Sequence, residues 1–361
     1  MERIILWGTG KIANEILSEC LTLSEYEILG IIDNDTCKQG TLFYGIRVYA
    51  PDILLEYEKV IDRIVILTKY YKEIQEQISK LNESLLEKME NECYFYKQSL
   101  IKRYKNSKDE QIQDIIDYLN NNDLDVFNYE WAKKYNHINK KVYRHEESGL
   151  YFVKHNGIDM FFSRKYKNEK EVMAYYQSIL MEQDEKSPHR YLDDSFEVKD
   201  GDVVVDVGVA EGNFSIDIIK KAKRIYLIEA DPLWVEALKY TFADYMDKVV
   251  FIEKYLTDYN EGKLASLDKV VSEKINFIKM DIEGCEYDAL VGAREVIRAS
   301  EDIKMAICCY HSDFDQVLIE DELDKQGFKY YTTDGYMYYP DKVKQTTVSI
   351  KLHRGIIRAY R

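Results

Sequence analysis

Glycines and acidic residues stand close together in the stretch "VVVDVGVAEGNFSIDI" (residues 203–218). Three apolar β-branched residues lead to Asp206, and Gly208 and Gly212 follow before an amphipathic segment. Glycine lets the backbone bend sharply and approach a ligand closely. A carboxylate in such a turn would repel a pyrophosphate but would attract an ammonium or sulfonium group. These residue types therefore favour a cationic ligand.

A second acidic position points to a nucleoside. The segment "RIYLIEADP" predicts a strand that ends at Glu229, 23 positions after Asp206, and Asp231–Pro232 then turns the chain. A carboxylate can accept hydrogen bonds from both ribose hydroxyls. Each feature alone is often only structural. Together they favour S-adenosylmethionine, a nucleoside that carries a sulfonium group and an amino-acid tail.

Three more carboxylates surround Gly284 in "NFIKMDIEGCEYDALVGA" (276–293), namely Asp281, Glu283 and Glu286. Asp281 falls at the end of a predicted strand, where we expect the transferred group to lie. For Glu286, helix capping by an acid that complements the helix dipole is the alternative explanation.

A histidine ends the apolar segment "MAICCYH" (305–311). Methyl transfer to an alcohol requires aligned reactants and a group that accepts the hydroxyl proton. His311 is the first candidate base, because neutral imidazole is available near pH 7. Asp281 is the second, and a divalent ion held by Asp281, Glu283 or His311 is a third possibility. A structural histidine at a strand end is an equally good explanation of His311.

An alternating α/β pattern positions these residues. Strands are predicted at 202–207, 225–229, 248–253, 275–281 and 303–309, with helices between most of them, as in a parallel sheet. Upstream, "GLYFVKHNGIDMFF" predicts a strand pair about Asn156–Gly157, and a helix is predicted at 168–183. Downstream, "FKYYTTDGYMYYP" (328–340) predicts an antiparallel hairpin about an Asp-Gly turn.

The N-terminal region repeats this strand, glycine turn and helix pattern. The predicted elements are a strand at 3–7, a turn at Gly8–Gly10, a helix at 11–23, a strand at 26–32 ending in Asp33, a hairpin within 40–54, a strand within 62–68 and a helix from Tyr70 to about Leu86. This turn holds no acid, so a nucleotide phosphate is compatible with it.

Length and composition limit the alternatives. A chain of 361 residues predicts two domains and a smaller element: 1–98, a helical connector with a strand pair at 99–165, and 166–361. The net charge of −15 argues against a nucleic-acid partner. We expect a cytoplasmic protein without membrane insertion, because no signal-like N-terminus or apolar run of about 20 residues is present. Six cysteines without CxxC spacing argue against structural zinc.

The motifs "VDVGVAEGNFS", "IEADP", "SLDKV", "NFIKMDIEGCEYDALVGA" and "AICCYH" lie in this order across 203–311. Together they resemble the FkbM family of S-adenosylmethionine-dependent methyltransferases over about residues 150–340. The resemblance implies a class I methyltransferase fold, which is Rossmann-like with a seven-stranded sheet and an antiparallel last strand. It also implies O-methylation of a sugar, glycan or natural-product precursor, with S-adenosylhomocysteine as the product.

The resemblance implies roles for individual residues. Asp206, Gly208 and Gly212 are implied to line the methionine side of the cofactor, Glu229 to hold the ribose, and Asp281 to lie near the methyl group. Lys254 and Tyr255 are implied to edge the adenine, and Asn213 and Ala230 are further cofactor-binding candidates. Glu283 is a candidate substrate contact. Cys309 stands where many members carry an acid, so any role of that acid is unsupported here.

Two features upstream remain open. His189 and Arg190 in "SPHRY" are candidates to clamp an anionic group such as a sugar-nucleotide phosphate, and packing of a loop over the cleft is the alternative. The N-terminal region (1–98) resembles the Rossmann-like domain of PglD-type sugar acetyltransferases, which implies contact with a nucleotide sugar. A structural or homodimerisation role and an NAD(P)-dependent redox site are the alternatives there. A binding protein without catalysis is the alternative for the whole chain.

Overall fold

The computed structural model describes residues 1–19, 23–339 and 350–361. Two compact units make up the described chain: Met1–Asn128 belong to the first, and the second begins at Tyr129 and includes Leu352–Arg361. Positions 20–22 of the predicted first helix and residue 340 of the predicted last hairpin lie outside the described residues. Within the described ranges, every helix is too short or too polar to cross a bilayer.

The first unit is built on a six-stranded sheet in the order β3-β4-β2-β1-β5-β6. Its strands are β1 (Glu2–Trp7), β2 (Tyr26–Ile32), β3 (Leu42–Phe43), β4 (Ile46–Tyr49), β5 (Arg63–Ile66) and β6 (Met89–Asn91). Its helices are α1 (Lys11–Glu19), α2 (Ile53–Tyr57), α3 (Tyr71–Leu81), α4 (Cys93–Tyr104) and α5 (Glu110–Leu119), with 3₁₀ turns at Leu23–Glu25 and Glu83–Lys88. All pairings are parallel except the β3–β4 hairpin.

Helices cover both faces of this sheet, as an apolar parallel sheet requires. In β1, Ile4 and Leu6 face one hydrophobic cluster, while Ile5 and Trp7 face another. The strands and the hairpin at 40–54 are confirmed. The helix predicted from Tyr70 to about Leu86 is shorter, because Asn82 adopts an extended conformation and its side chain accepts a hydrogen bond from the Ser84 backbone N–H, which starts a separate turn.

The second unit opens with a three-stranded sheet, β7 (Tyr143–Arg144), β8 (Tyr151–His155) and β9 (Ile158–Phe161), and a 3₁₀ segment at Glu130–His137. Asn156 and Gly157 have φ values of 49° and 84°, as a two-residue hairpin turn requires, so this predicted strand pair is confirmed. Helix α6 (Glu169–Glu182) follows, and Asn168 caps it by accepting a hydrogen bond from the Glu171 backbone N–H.

A seven-stranded sheet carries the rest of the unit. Its strands are β10 (Val203–Val207), β11 (Arg224–Ile228), β12 (Val249–Ile252), β15 (Phe277–Met280), β16 (Lys304–Cys308), β17 (Lys329–Thr332) and β20 (Ile356–Tyr360), and the short strands between them are β13 (Tyr255–Leu256), β14 (Leu264–Ala265), β18 (Met337–Tyr338) and β19 (Leu352–His353). Its helices are α7 (Asn213–Ile218), α8 (Pro232–Thr241), α9 (Leu267–Val270), α10 (Glu286–Val291), α11 (Arg294–Ala299) and α12 (Asp315–Lys325), with a 3₁₀ turn at Ala243–Tyr245.

The strand order is β12-β11-β10-β15-β16-β20-β17, in which only β20 runs antiparallel to its neighbours. Numbered along the chain, this is the order 3-2-1-4-5-7-6, so the predicted class I methyltransferase fold is confirmed. The strands that follow β10 in sequence, β11 and β12, lie on one side of it in the sheet, and β15 lies on its other side, so the strand order reverses at β10. Ligands bind at such a switch point, outside the carboxyl ends of the strands.

The hairpin predicted at 328–340 is wrong. β17 pairs with β20 and β18 pairs with β19, so the two aromatic segments do not pair with each other. β20 lies between β16 and β17, and four of its five residues are buried. Burial of this distant apolar strand outweighs the local preference of the Asp-Gly turn for a hairpin.

Candidate active site

The loop after β10 and the loop after β15 touch at the switch point. Gly208 has a φ of 74°, and a Cβ atom at this position would lie 1.8 Å from the carbonyl oxygen of Asp281. Gly212 also has a positive φ, 84°, immediately before Asn213 starts α7. Gly208 and Asp281 therefore come together, whereas Gly212 packs against Leu238 and Phe242, at the end of the helix that follows β11.

Asp206 faces the interior of the protein. Its carboxylate is fully buried, accepts a hydrogen bond from Ser215 Oγ at 2.7 Å and lies 3.2 Å from Lys279 Nζ. Lys279 Nζ also donates to the carbonyl of Gly208 at 2.6 Å. From the sequence we expected a ligand cation opposite Asp206, but the ammonium of Lys279 occupies that position. Sequence reasoning missed Lys279, although a single charge inside the apolar strand "FIKM" was the available signal.

Glu229 stands at the end of β11, next to the glycine loop. Its carboxylate accepts hydrogen bonds from the backbone N–H of Ala210 at 3.0 Å and of Asp231 at 2.8 Å. A carboxylate has about four acceptor positions, so two remain for ribose hydroxyls. Ala230 follows in the same half-exposed turn. These contacts fit the predicted nucleoside site.

Asp281 lies at the centre of the candidate site at the switch point, which we call the cofactor cleft. Its Oδ2 accepts a hydrogen bond from the Tyr191 hydroxyl at 2.7 Å and lies 3.6 Å from His189 Nε2, while its Oδ1 lies 3.5 Å from His311 Nε2. Burial by itself raises the pKa of Asp281, but the charges of Lys279 and His311, with the hydrogen bond from Tyr191, outweigh it and hold the pKa well below its usual range. The carboxylate is therefore ionised and weakly basic.

His311 lies between two acids. Its Nδ1 is 2.9 Å from Glu286 Oε1, and Glu286 also accepts hydrogen bonds from the Ile282 and Gly284 backbone N–H groups. Burial lowers the pKa of His311, but the hydrogen bond with Glu286 and the nearby carboxylates outweigh it and raise the pKa to about 9. The expectation of a neutral imidazole near pH 7 is therefore wrong for this arrangement. Glu286 contacts the loop and the histidine rather than only capping a helix.

His189 is buried and neutral. Its Nε2 lies 2.9 Å from the Tyr310 hydroxyl, and burial lowers its pKa to about 4 despite the charge of Asp281. Its burial and its contact with Tyr310 favour loop packing, the alternative explanation of this residue, over a charged clamp. The backbone carbonyl of Arg190 accepts a hydrogen bond from Arg358 at 2.9 Å.

Two further acids lie near the cleft, and sequence reasoning missed both. Glu211, in the glycine loop, accepts a hydrogen bond from the Tyr175 hydroxyl at 2.8 Å. Burial, followed by the charges of Glu211 and Asp281, raises the pKa of Glu182 to about 8, although Lys279 opposes the shift. Glu182 ends α6, far from the glycine motifs in sequence, so only the tertiary fold reveals it.

Other predicted residues lie around these groups. Glu283, which is exposed and has a φ of 56°, accepts a hydrogen bond from the Tyr339 hydroxyl at 3.0 Å. Its Oε2 lies 4.0 Å from His311 Nε2. Lys254 Nζ donates to the carbonyl of Gly262 at 2.7 Å, within the loops that follow β12.

Two sets of potential metal ligands occur in the described chain, with ligand atoms within 4.8 Å of one another. They are His189, Asp281 and Cys308, and Asp281, Glu286 and His311. Glu286, rather than the predicted Glu283, completes the second set. The charge of Lys279, which acts on both Asp281 and Cys308, opposes a cation in the first set.

The fold and the site together define a class I methyltransferase domain. Comparison with known families agrees, because residues 161–330 match the family described as Methyltransferase FkbM domain. The matched family is the one that the motifs across residues 203–311 resemble. Residues 1–86 match the family described as C2185-like, N-terminal, so the predicted resemblance to PglD-type acetyltransferases is not supported.

Solved structures show weaker likenesses. Methyltransferase FkbM from Methylobacillus flagellatus KT is 17% identical over 99% of this chain and 90% of that chain, with a TM-score of 0.44. Magnesium protoporphyrin IX methyltransferase (ChlM) from Synechocystis PCC 6803, solved with bound SAM, is 15% identical over 45% of this chain and 71% of that chain, with a TM-score of 0.31. These scores add nothing to the fold assignment, which depends on the strand order. No curated protein matches the sequence significantly.

Proposed function

We propose that this protein transfers the methyl group of S-adenosylmethionine to a hydroxyl of a sugar, glycan or natural-product precursor and releases S-adenosylhomocysteine. The observation that carries the proposal is the concentration of carboxylates at the switch point of a methyltransferase fold. Burial, followed by the negative charges of Glu211 and Asp281, raises the pKa of Glu182 to about 8. A cation placed among them would reduce this repulsion.

The described residues suit the two ends of this cofactor. Glu229 has acceptor positions left for ribose hydroxyls beside the glycine loop. Asp281 and the acids around it would favour the sulfonium and ammonium groups. When bound, S-adenosylmethionine would supply an electrophilic methyl group.

His311 is the residue best placed to receive the acceptor's proton. Its Nδ1 is held by Glu286, so its Nε2 is directed toward Asp281 and Glu283. A hydroxyl near Asp281 Oδ1 would therefore lie within reach of Nε2. In the cofactor-free site the pKa of about 9 keeps this imidazole protonated at neutral pH. A bound cation would lower that pKa and make the neutral, basic form accessible.

Calorimetric titration tests the cofactor assignment. We expect the full chain to bind S-adenosylmethionine and S-adenosylhomocysteine in the micromolar range, and Glu229→Gln to weaken both at least about tenfold, as expected for hydrogen bonds to a charged group. Asp33→Asn is the matched control, because Asp33 ends the corresponding strand β2 of the first unit. It should leave both affinities unchanged.

Two results would contradict the proposal. One is binding of NADH alone, unchanged by Glu229→Gln and lost in Asp33→Asn, which would place the active nucleotide site in the first unit. The other is cofactor binding with no methyl transfer to any hydroxylated sugar or glycan precursor, which would favour a binding protein. His311→Gln separates catalysis from binding, since we expect it to abolish turnover and to retain cofactor affinity within about threefold.

A further inference from the structure

A pocket of about 230 Å³ opens at one end of the β7-β8-β9 sheet, away from the Asn156–Gly157 turn. Its lining includes three basic side chains, a buried serine and two tyrosines: Arg144, Arg164, Lys167, Ser163, Tyr151 and Tyr166. None of these residues belongs to the cofactor cleft. Such a basic lining is notable in a chain with a net charge of −15.

Arg144 is held in place but keeps most of its donors. Its Nε donates to the carbonyl of Gly149 at 3.3 Å, and its guanidinium lies 5.8 Å from the centre of the Tyr151 ring. A guanidinium has five N–H donors, so this backbone contact leaves the terminal N–H groups for a ligand. The aromatic ring fixes the guanidinium without neutralising it.

Lys167 contributes a second positive charge. Its Nζ donates to the carbonyl of Arg164 at 2.8 Å, which uses one of three ammonium hydrogens. Nearby, Glu171 accepts hydrogen bonds from the backbone N–H of Lys167 and from the Asn168 side chain. That carboxylate therefore belongs to the cap of α6.

Arg164 is already neutralised. Its guanidinium forms two hydrogen bonds with the carboxylate of Glu236, at 2.7 and 2.6 Å. Arg164 lines the pocket, and its pair with Glu236 adds no net charge. The excess positive charge of the pocket therefore comes from Arg144 and Lys167.

We propose that this pocket binds the phosphate group of a phosphorylated sugar. Arginine matches the geometry of phosphate oxygens with parallel N–H donors, and lysine adds a point charge. Tyr151 and Tyr166 offer aromatic surfaces for the adjoining sugar ring. The volume is below the roughly 300 Å³ at which pockets for drug-sized ligands begin, so a phosphate and one ring are an appropriate size.

Tyr166 links this pocket to the cofactor cleft. Its ring lies 5.0 Å from the ring of Tyr175, whose hydroxyl donates to Glu211 in the glycine loop. These side-chain contacts join the pocket to that loop, and on this basis we assign the phosphorylated sugar as the methyl acceptor. This last step rests on the proposed function, whereas phosphate binding itself does not. From the sequence alone we expected such a clamp at His189 and Arg190 instead.

Calorimetry on the full chain tests the pocket with inorganic phosphate, glucose 1-phosphate, UDP-glucose and unphosphorylated glucose, each with S-adenosylhomocysteine present. We expect the phosphorylated ligands to bind and glucose not to bind. Arg144→Gln and Lys167→Gln should each weaken binding at least about tenfold. The matched control is Lys154→Gln, an exposed lysine of β8 that pairs with Asp159 at the other end of the same sheet.

The two phosphorylated sugars distinguish two classes of ligand. Tighter binding of UDP-glucose would favour a nucleotide sugar, and tighter binding of glucose 1-phosphate would favour a simple sugar phosphate. Absence of phosphate binding would overturn the proposal. So would binding that survives both pocket variants, equal losses in Lys154→Gln, or equal binding of glucose. Titration with S-adenosylmethionine distinguishes the two hypotheses: phosphate binding without cofactor binding refutes only the methyltransferase function, and the reverse refutes only the pocket.

Discussion

The two glycine loops of this protein have the same local design and opposite electrostatic surroundings. In both, an acid at the end of the second strand accepts a backbone N–H from the loop: Asp33 from Thr9 and Glu229 from Ala210. Around Asp33 the nearest charge is the partly exposed ammonium of Lys38, 3.4 Å away. Around the second loop, carboxylates line the cleft and the ammonium of Lys279 is buried beneath it.

This difference shows what selects a ligand. The strand, glycine turn and helix pattern provides a close backbone approach in both units. The sign of the charges is set by other side chains in and around the loop, such as Lys38 in the first unit and Glu211 and Asp281 in the second. An exposed cation suits a phosphate, whereas a set of acids suits a sulfonium.

The largest expected effect is that of Gly208→Ala. The added methyl group would lie 1.8 Å from the Asp281 carbonyl oxygen, at a backbone conformation that alanine disfavours. We expect loss of cofactor binding and more than about 4 kcal/mol of destabilisation, measured by calorimetry and urea unfolding. Gly10→Ala is the matched control, since a Cβ atom there meets nothing within 4 Å. Equal effects of the two substitutions would break the comparison between the loops.

The buried cation gives the next largest effect. Lys279→Met leaves the carboxylate of Asp206 buried without its partner, so we expect a loss of about 3 kcal/mol in the free energy of unfolding. Lys38→Met should cost less than about 1 kcal/mol, because the Lys38 side chain is 45% exposed. Urea unfolding of both variants provides the measurement. A small effect at Lys279 would show that its charge is not needed beneath the second loop.

The surroundings of His311 predict a pH response of the second unit. The folded-state pKa of about 9 exceeds the ordinary value of about 6.5, so protonated His311 stabilises the fold. This stabilisation is fully present below about pH 6.5 and is lost as the pH rises through about 9. We expect His311 by itself to lower the free energy of unfolding by about 1 kcal/mol between pH 7 and pH 8.

His311→Gln is the control for this response, since in urea unfolding followed across this range it should remove the histidine's part of the slope and leave the part that comes from Glu182, whose pKa is raised to about 8. Residues 1–128 contain no histidine, so the first unit should contribute little to it. An unchanged slope in the variant would mean that another group causes the pH dependence.

Lys254→Ala should have the smallest effect. Its ammonium donates to the carbonyl of Gly262, within neighbouring loops of the second unit. We expect less than about 0.5 kcal/mol of destabilisation and less than a threefold change in cofactor affinity. A larger loss of affinity in calorimetry would support the adenine contact that the family resemblance implies for this residue.

The sequence predicted most of the fold because local patterns determine it. Buried parallel strands such as Val203–Val207 are continuous apolar runs, and the Asn156–Gly157 turn specifies its own hairpin. The hairpin at 328–340 was wrong because its partner strand, Ile356–Tyr360, is distant in the sequence and competes for the same edge. Local turn preference contains no information about such competition.

The site was predictable to the extent that it lies in motifs. Gly208, Glu229 and Asp281 come together as their positions at strand ends require. Protonation states were not predictable, because they depend on contacts between distant segments. Glu286 raises the pKa of His311, and burial lowers that of His189. Neither effect leaves a pattern in the sequence.

The position of β20 has a consequence for biosynthesis. Ile356–Tyr360 lie between β16 and β17, yet they are translated after every other strand of that sheet. Until this segment leaves the ribosome, β16 has an open edge that can pair with other chains. We therefore expect nascent chains to remain prone to aggregation until this five-residue segment emerges and completes the sheet.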